Sequence, residues 1–466
     1  MNTKFVAMGV FASVLLAGCL DSDNDSNVTP TVPDPVPNVT ETNVRVIHAS
    51  PDAPTVNVFA GPDAVAGLQD LDYQTGSAWL TLNAGTYALR VEANLPNDED
   101  VEVFAVNTTL SDDTTYNVIA IGSVAGETLA PLVVANPESE VSAGNVRAQV
   151  VHAAPDAPEV DVYVTAPDAD LESAQALATL VFGENTGQVE VPAGDYRIRI
   201  TAAGTKTAVY DSGTLALAEG SDLLISATQN IATGDSPVAL LVATGEGSFV
   251  VLDTNSPAEL RVVHGVADAP AVDVIANNAL TLVDGAAFLD FTPYLSVGAA
   301  DYLIDVAADE DNSVVVIDDA PVTLMSGVRY TAIANNTLAD IDLDLIIDTP
   351  RSIATAAQVR IFHASPSAGD VDIYVTADGE IADVDPAFAA IPYSEDVLVE
   401  TGYVSLAAGD YVVTVTPTGT KTEAIKTGVL SLDAGGIYTA IAVDGSMEGA
   451  LPQLIVLDDF VADEAQ

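Results

Sequence analysis

The residue types best suited to chemistry are few in this chain, and they recur. All four histidines stand in one repeated phrase, first as Val44-Arg45-Val46-Ile47-His48-Ala49-Ser50-Pro51-Asp52-Ala53-Pro54 and then as Val150-Val151-His152-Ala153-Ala154-Pro155-Asp156-Ala157-Pro158. The phrase returns as Leu260-Arg261-Val262-Val263-His264 with Asp268-Ala269-Pro270, and as Val359-Arg360-Ile361-Phe362-His363-Ala364-Ser365-Pro366. An imidazole is the commonest metal ligand and a natural acid-base group near neutral pH. Each copy holds one histidine, and Cys19 is the only cysteine, so a zinc site would have to be completed by carboxylates. Side chains two apart on a strand share a face, which groups His48 with Val44 and Val46, and His363 with Val359 and Ile361. The imidazole is therefore expected on the apolar face, bonded to backbone of the following turn, while Arg45, Arg261 and Arg360 point the other way.

Carboxylates are the second candidate set. Asp161, Asp273 and Asp372, with Asn57 at the matching place, follow in the alternating stretches Val160-Asp161-Val162, Val272-Asp273-Val274 and Val371-Asp372-Ile373. Together with Asp52, Asp156 and Asp268 they offer the oxygen ligands that suit calcium, although no spacing is diagnostic. The expectation is solvated strand faces and turns. Gly234-Asp235-Ser236 resembles a hydrolase nucleophile turn but occurs once and has no matching histidine block. No phosphate-cradling glycine loop and no His-Glu-x-x-His is present. No catalytic residue is assigned, and an enzyme is not expected. Trp79 is the single tryptophan, which weakens sugar recognition by ring stacking.

The elements that must carry these residues read as strands. The phrases alternate with period two, are rich in Val, Ile, Thr and Tyr, and are punctuated by Gly, Pro, Asp and Asn. The first copy gives strands near residues 44–49, 56–60, 78–82, 86–92, 101–108, 115–121 and 130–135, a pattern that resembles an immunoglobulin-like or transthyretin-like β-sandwich. A second landmark, a glycine turn into a tyrosine-bearing strand, recurs as Gly85-Thr86-Tyr87, Gly194-Asp195-Tyr196, Gly298 to Tyr302 and Gly409-Asp410-Tyr411. The expected class is all-β, with four tandem sandwiches at 43–137, 145–255, 258–349 and 357–460. The second and fourth copies share Gly204-Thr205-Lys206-Thr207 and Gly419-Thr420-Lys421-Thr422, where the first and third have acidic runs. That alternation points to a two-domain unit duplicated once. The alanine-rich stretch Asp170 to Leu180 predicts a short helix, and Asp340, Asp342 and Asp344 predict a charged outer face.

Ahead of the repeats, residues 1–18 read as an export signal: Lys4, a short apolar run Phe5 to Leu16, and Leu16-Ala17-Gly18-Cys19, which resembles a lipobox. Cys19 is then the expected lipidation site, and two or three acyl chains make a durable anchor. Residues 19–42, rich in Pro, Asp and Thr, read as a disordered tether. Leu20 after the cysteine resembles the outer-membrane-sorted class of Gram-negative lipoproteins. Asp and Glu number 68 against 13 Lys and Arg, a formal net charge of -55. Such a field repels phosphate backbones and excludes nucleic-acid partners.

The phrase Val-Arg-Val-x-His-Ala-Ser-Pro-Asp-Ala-Pro, joined to the later Ala-Gly-x-Tyr, resembles the bacterial domain of unknown function 4397 family, over residues 43 to about 460. The third copy departs from it with Gly265-Val266-Ala267, and the fourth has Ser367 in place of the aspartate. The resemblance implies tandem copies in secreted and lipid-anchored envelope proteins and brings no assigned activity. The expected function is a non-enzymatic envelope array for adhesion, spacing or binding of a protein or polymer, with no cofactor. A calcium-dependent binding module and an envelope hydrolase are the alternatives.

Overall fold

The computed structural model describes residues 40–459 apart from Pro62, Asn97, Asp98 and Glu448. The expected signal peptide, Cys19 and the tether up to residue 39 lie outside the described residues. The rest forms eight sheets, two to each copy, so each repeat is a β-sandwich.

One sheet of every copy is built on the strand that carries the histidine: Glu41–His48, Asn145–His152, Ala258–His264 and Ala357–Ala364. It pairs in parallel with Thr114–Ile121, Asp222–Gln229, Arg329–Asn335 and Ile437–Val443, respectively. Those strands pair antiparallel with Ala130–Pro137, Val238–Ala243, Asp342–Asp348 and Gln453–Asp458. The opposing sheet begins at Val56–Ala60, Val160–Thr165, Val272–Ala276 and Val371–Thr376. Each of these pairs with the strand after the glycine turn, Gly85–Leu95, Gly194–Ala202, Ala300–Ala308 or Gly409–Pro417. Alternating Val and Ile from both sheets fill the interior, as around Val150, Val162, Ile200 and Leu240 in the second copy. Each such side chain contributes about 1.5–3 kcal/mol when fully buried.

The alanine-rich stretch does not form a helix. Glu172 N–H and Ser173 hydroxyl bond back to Asp170, making a turn, and Ala178–Leu180 then adds to the sheet edge beside Val160–Val162. A run this short cannot meet the cost of helix nucleation while a strand edge offers ready partners.

The copies are not beads on a string. The histidine-bearing sheets of the first and second copies pack face to face, Ile47, Ile119 and Val134 against Val151, Leu224 and Leu241. The third and fourth do the same, Val263 and Ile333 against Phe362, Ile441, Ile455 and Leu457. The two members of each alternating unit are therefore partners across an apolar interface. Both faces of the opening strand are buried, so Arg45, Arg261 and Arg360, expected to face outward, lie 1–3% exposed within these interfaces. Asp344, expected on an open face, is partly buried and accepts a hydrogen bond from Asn335 Nδ2 at 2.8 Å. Among the described residues no helix is long and apolar enough to cross a membrane.

Candidate functional site

The recurring histidine is the last residue of its strand in the first three copies and the last but one in the fourth, and an alanine stands beside it on the parallel neighbour in every copy: Ala120, Ala227, Ala334 and Ala442. A methyl group there leaves room for the ring. Nε2 lies 3.0 Å from the carbonyl oxygens of Pro54, Pro158 and Pro270 in the first three copies, and 2.6 Å from that of Gly369 in the fourth. In the first and third copies Nδ1 accepts the backbone N–H of Ser50 and Val266 at 3.3 Å. That pair of bonds is made by a neutral ring protonated on Nε2. Burial pushes the pKa of His48 and of His363 below the ordinary value. An aromatic ring stands edge-on to each imidazole: Tyr73, Phe182, Phe288 and Tyr393, at 5.8–6.4 Å between centroids. These four rings were not singled out from the sequence; they follow their histidines by 25, 30, 24 and 30 residues, so only a comparison within the alternating copies, first with third and second with fourth, brings them close to register.

The second landmark is also architectural. The hydroxyls of Tyr87, Tyr196, Tyr302 and Tyr411 each donate to the carbonyl four residues upstream, at 2.8 Å in every copy. This is the bond of a tyrosine corner, pinning the turn that starts the strand.

Of the six calcium candidates, five have their oxygens engaged by nearby backbone. Asp52 accepts from Val124 N–H, Ala125 N–H and the Ser123 hydroxyl at 2.7–2.9 Å. Burial works against its charge, but those three donors outweigh it and hold its pKa below the ordinary value. The loop they belong to turns at Gly122, where φ is +96° and a Cβ would stand 2.2 Å from the Thr128 carbonyl oxygen. Asp268 accepts from Leu338 N–H at 2.8 Å. In the fourth copy the polarity is reversed: Ser367, in the aspartate's place, donates through N–H and hydroxyl to Asp444 on the opposite loop. Asp161, Asp273 and Asp372 are buried, not solvated as expected. Asp161 takes the Thr179 hydroxyl and Gly204 N–H, and Asp372 takes Ala390 N–H and Gly419 N–H. The reason is positional: a loop crosses each strand face and its N–H groups need acceptors. Asp156 is exposed.

Asp273 accepts from Gly285 N–H, and there three carboxylates meet, those of Asp273, Asp284 and Asp309, with oxygens within 4.8 Å of one another. Partial desolvation, followed by the charges of Asp273 and Asp284, lifts the pKa of Asp309. Ser236, from the nucleophile-like turn, gives its hydroxyl to the Val238 carbonyl at 2.8 Å.

The buried arginines form the polar centres of the paired faces. Arg45 donates to Asn117 Oδ1 and, across the interface, to the Thr244 carbonyl, with its guanidinium 4.3 Å from the Trp79 ring centre. Desolvation lowers its pKa to about 10, with the charge of Asp222 acting against the fall. In the second pair Arg360 bonds Asp348 at 2.5 Å and Arg261 bonds Asp458 at 2.5 Å. Asp348 also accepts from the hydroxyls of Thr331 and Tyr294.

The family described as Domain of unknown function (DUF4397) matches residues 42–163 and 258–374, each span running from one copy into the opening strands of its partner. No curated protein matches the chain. Among solved structures, the Bacillus anthracis TIE protein is similar at 12% identity, over 87% of this chain and 69% of that one, with a TM-score of 0.15. The carbohydrate-binding module CBMbc of Eubacterium rectale Amy13K, solved with maltoheptaose, is 12% identical over 44% of this chain and 98% of its own, with a TM-score of 0.16. The pneumococcal glycogen-degrading virulence factor SpuA is 10% identical over 83% and 36%, with a TM-score of 0.17. Superpositions this loose carry no argument.

Proposed function

We infer that this chain, which belongs to the family described as Domain of unknown function (DUF4397), is a non-enzymatic array of β-sandwiches held at the cell envelope by lipid on Cys19. In this reading it presents its outer faces to a protein or polymer partner. The observation that carries it is where the repeated residues go. His48 and its counterparts bond their own turns, the Tyr87 set bonds upstream carbonyls, and Arg45, Arg261 and Arg360 lie inside paired faces. What recurs builds four copies of one body in two pairs, and several copies on one anchor suit weak, multivalent attachment. The net charge of -55 favours a neutral polymer or a basic protein over an anionic surface. Leu20 beside the lipidated cysteine favours the outer membrane of a Gram-negative host.

Fractionating cells that express the full chain or Cys19→Ser tests the anchor. The parent is expected with outer membranes and the variant in the soluble fraction, and unchanged fractionation of the variant refutes it. Turnover of chromogenic esters or glycosides by the purified chain would refute the non-enzymatic reading in favour of a hydrolase. A second reading, a calcium-dependent binding module, is favoured by the meeting of Asp273, Asp284 and Asp309. Calorimetric titration with calcium separates the two, because the array reading expects no saturable heat.

A further inference from the structure

The four sandwiches are closed differently along one side. The strand that follows the parallel pair holds Val133, Val242, Leu345 or Val456 opposite the residue two before the alanine that stands beside the histidine. Directly opposed residues share a face, and here that face is the sandwich interior, since Val118 and Ile225, opposite Val133 and Val242, both belong to it. Val242 is 3% exposed, and Leu345 and Val456 are half-buried. Val133 is 46% exposed.

The second copy shows what covers this position. Past Ala243 its chain reverses, with Thr244 N–H bonded to the Gly247 carbonyl, and adds the strand Ser248–Val251, which sets Phe249 opposite Val242 and Val251 opposite Leu240. Val251 packs on the interior, and its carbonyl takes the Tyr210 hydroxyl from the facing sheet at 3.0 Å. The added strand thereby bridges the two sheets. In the first copy the chain instead leaves Pro137 for the second copy, and among the described residues no strand pairs with the outer edge of Ala130–Pro137. Glu99–Leu110, the last strand of the facing sheet, is bare as well. Its Val101 and Val106 are 48% and 37% exposed although both line voids between the sheets, Val106 the same one as Val118.

The bare edge has a defined set of hydrogen-bonding groups. Glu138 N–H bonds the Asp113 carbonyl, so alternation along the antiparallel pair turns the even residues of Ala130–Pro137 toward Thr114–Ile121 and the odd ones outward. Val133 and Ala135 present both N–H and C=O, and Pro131 a carbonyl alone. Pro131 and Pro137 therefore confine pairing to a short strand, which keeps the edge from templating long sheets. The surroundings are acidic. Glu102 on the facing strand, Glu127 in the loop before the edge and Glu138 just after it are exposed, and the sequence holds no lysine or arginine between Arg90 and Arg147.

We propose that the first sandwich docks an extended segment of a protein partner, which adds as an antiparallel strand to the outer edge of Ala130–Pro137. Two apolar side chains of that segment, two residues apart, cover the interior face at Val133 as Phe249 and Val251 do at Val242, and basic residues flank them. Main-chain bonds supply affinity in this mode of recognition, and alternate side chains supply specificity. Two observations set the occupant. The second copy's own strand fills the equivalent place, and the acidic rim selects a cationic segment over a second copy of this chain, which carries the same net charge of -55. The proposal rests on the array reading for its protein partner and names the surface that meets it.

The test is fluorescence anisotropy of a labelled peptide that repeats residues 247–252 between paired lysines, titrated with the full chain. One saturable site per chain is expected. Methylating the backbone nitrogen of the peptide's phenylalanine, whose N–H would meet the Val133 carbonyl, should weaken binding about tenfold or more. Methylating the next nitrogen, which faces away from the edge, should change it less than about threefold. Glutamates in place of the flanking lysines should weaken binding about tenfold at low salt. Val133→Pro removes an outward N–H and no ladder bond, so it should weaken binding about tenfold or more with the melting temperature unchanged. No saturable binding, equal loss with the two methylated peptides, or undiminished binding to a folded Val133→Pro would overturn the docking edge, and the methylated pair decides even where Val133→Pro does not fold. Equal affinity of the glutamate-flanked peptide would overturn the basic partner. Dimers of the parent in sedimentation that Val133→Pro abolishes would overturn it in favour of a second copy. None of these outcomes depends on Cys19 or on turnover, so the array reading stands or falls separately.

Discussion

Asp348 is the residue whose removal should reveal most about how the copies hold together. Its side chain is fully buried between the third and fourth copies, bonded to Arg360 at 2.5 Å, with Arg261 at 3.8 Å and the hydroxyls of Thr331 and Tyr294 on its second oxygen. Burial alone would lower the pKa of Arg360, yet Asp348 holds it above the ordinary value. Removing one partner of a buried ion pair costs about 3–5 kcal/mol, because the survivor is left charged and desolvated. Asp458 and the half-buried Glu400 remain beside the two arginines, which places Asp348→Asn at the lower end, about 3 kcal/mol. For the roughly 200 residues of this pair that is a fall of about 6–12 °C in melting temperature, read by calorimetry on the full chain. Arg45→Met in the first pair is the contrast. Arg45 contacts an amide and a carbonyl and no carboxylate, so its loss orphans no charge and should cost about 1–2 kcal/mol. A double-mutant cycle of Asp348→Asn with Arg360→Met should recover part of the loss. A fall under about 2 °C for Asp348→Asn, or one no larger than for Arg45→Met, would refute the reasoning.

The histidines give a second expectation. His48→Gln should destabilise by about 1–3 kcal/mol, through lost packing and unpaired groups at Pro54 and Ser50. Because the folded pKa of His48 is lowered, its contribution is fully present above the unfolded value of about 6.5 and is lost as pH falls below it. The melting gap between parent and variant should therefore shrink from pH 7.5 to 5.5, and a gap that widens would contradict a neutral ring. Taking the difference cancels the titration of groups remote from this imidazole, on which the charges of Arg351 and Asp72 act. Charge gives a third: with a net of -55, melting temperature should rise with sodium chloride, and calcium chloride at matched ionic strength should do no more. A calcium shift well beyond that would transfer the argument to Asp273, Asp284 and Asp309.

How much of this was legible follows from what a period-two pattern encodes. It located strands such as Val56–Ala60 and Thr114–Ile121 to within a residue or so, because one face of each is apolar and the turns between them carry Gly, Pro and Asp. It passed over Asp63–Ala64 and Thr75–Gly76, two-residue edge pairings with no periodicity to detect. Alternation also suggests that one face is wet, and Arg45 on the second face reinforced that inference. The contrary signal lay elsewhere in the same sheets, in the unbroken apolar run Val238–Ala243, since a strand without alternation is covered on both sides. That run lies across the interface from the strand of Arg45, which must therefore be buried with partners, and one of them, the Thr244 carbonyl, comes from the second copy, where no local pattern can reveal it.

The motif aspartate shows the same limit from the opposite direction. Ser367 in the fourth copy reads as a lost carboxylate when the phrase is viewed alone. The contact is kept, because Asp444 supplies the acceptor from the far loop and Ser367 becomes the donor, where Asp52 accepts from Ser123, Val124 and Ala125. What the first, third and fourth copies share is then a hydrogen-bonded pair of loops closing one end of the sandwich, with the charge free to sit on either side, whereas Asp156 of the second copy is exposed. A catalytic or metal-ligating carboxylate would not tolerate that exchange, because its oxygen must meet a fixed reacting atom or ion. Closing two loops requires only that one be a donor and the other an acceptor, which makes the exchange itself an argument that this aspartate is part of the framework.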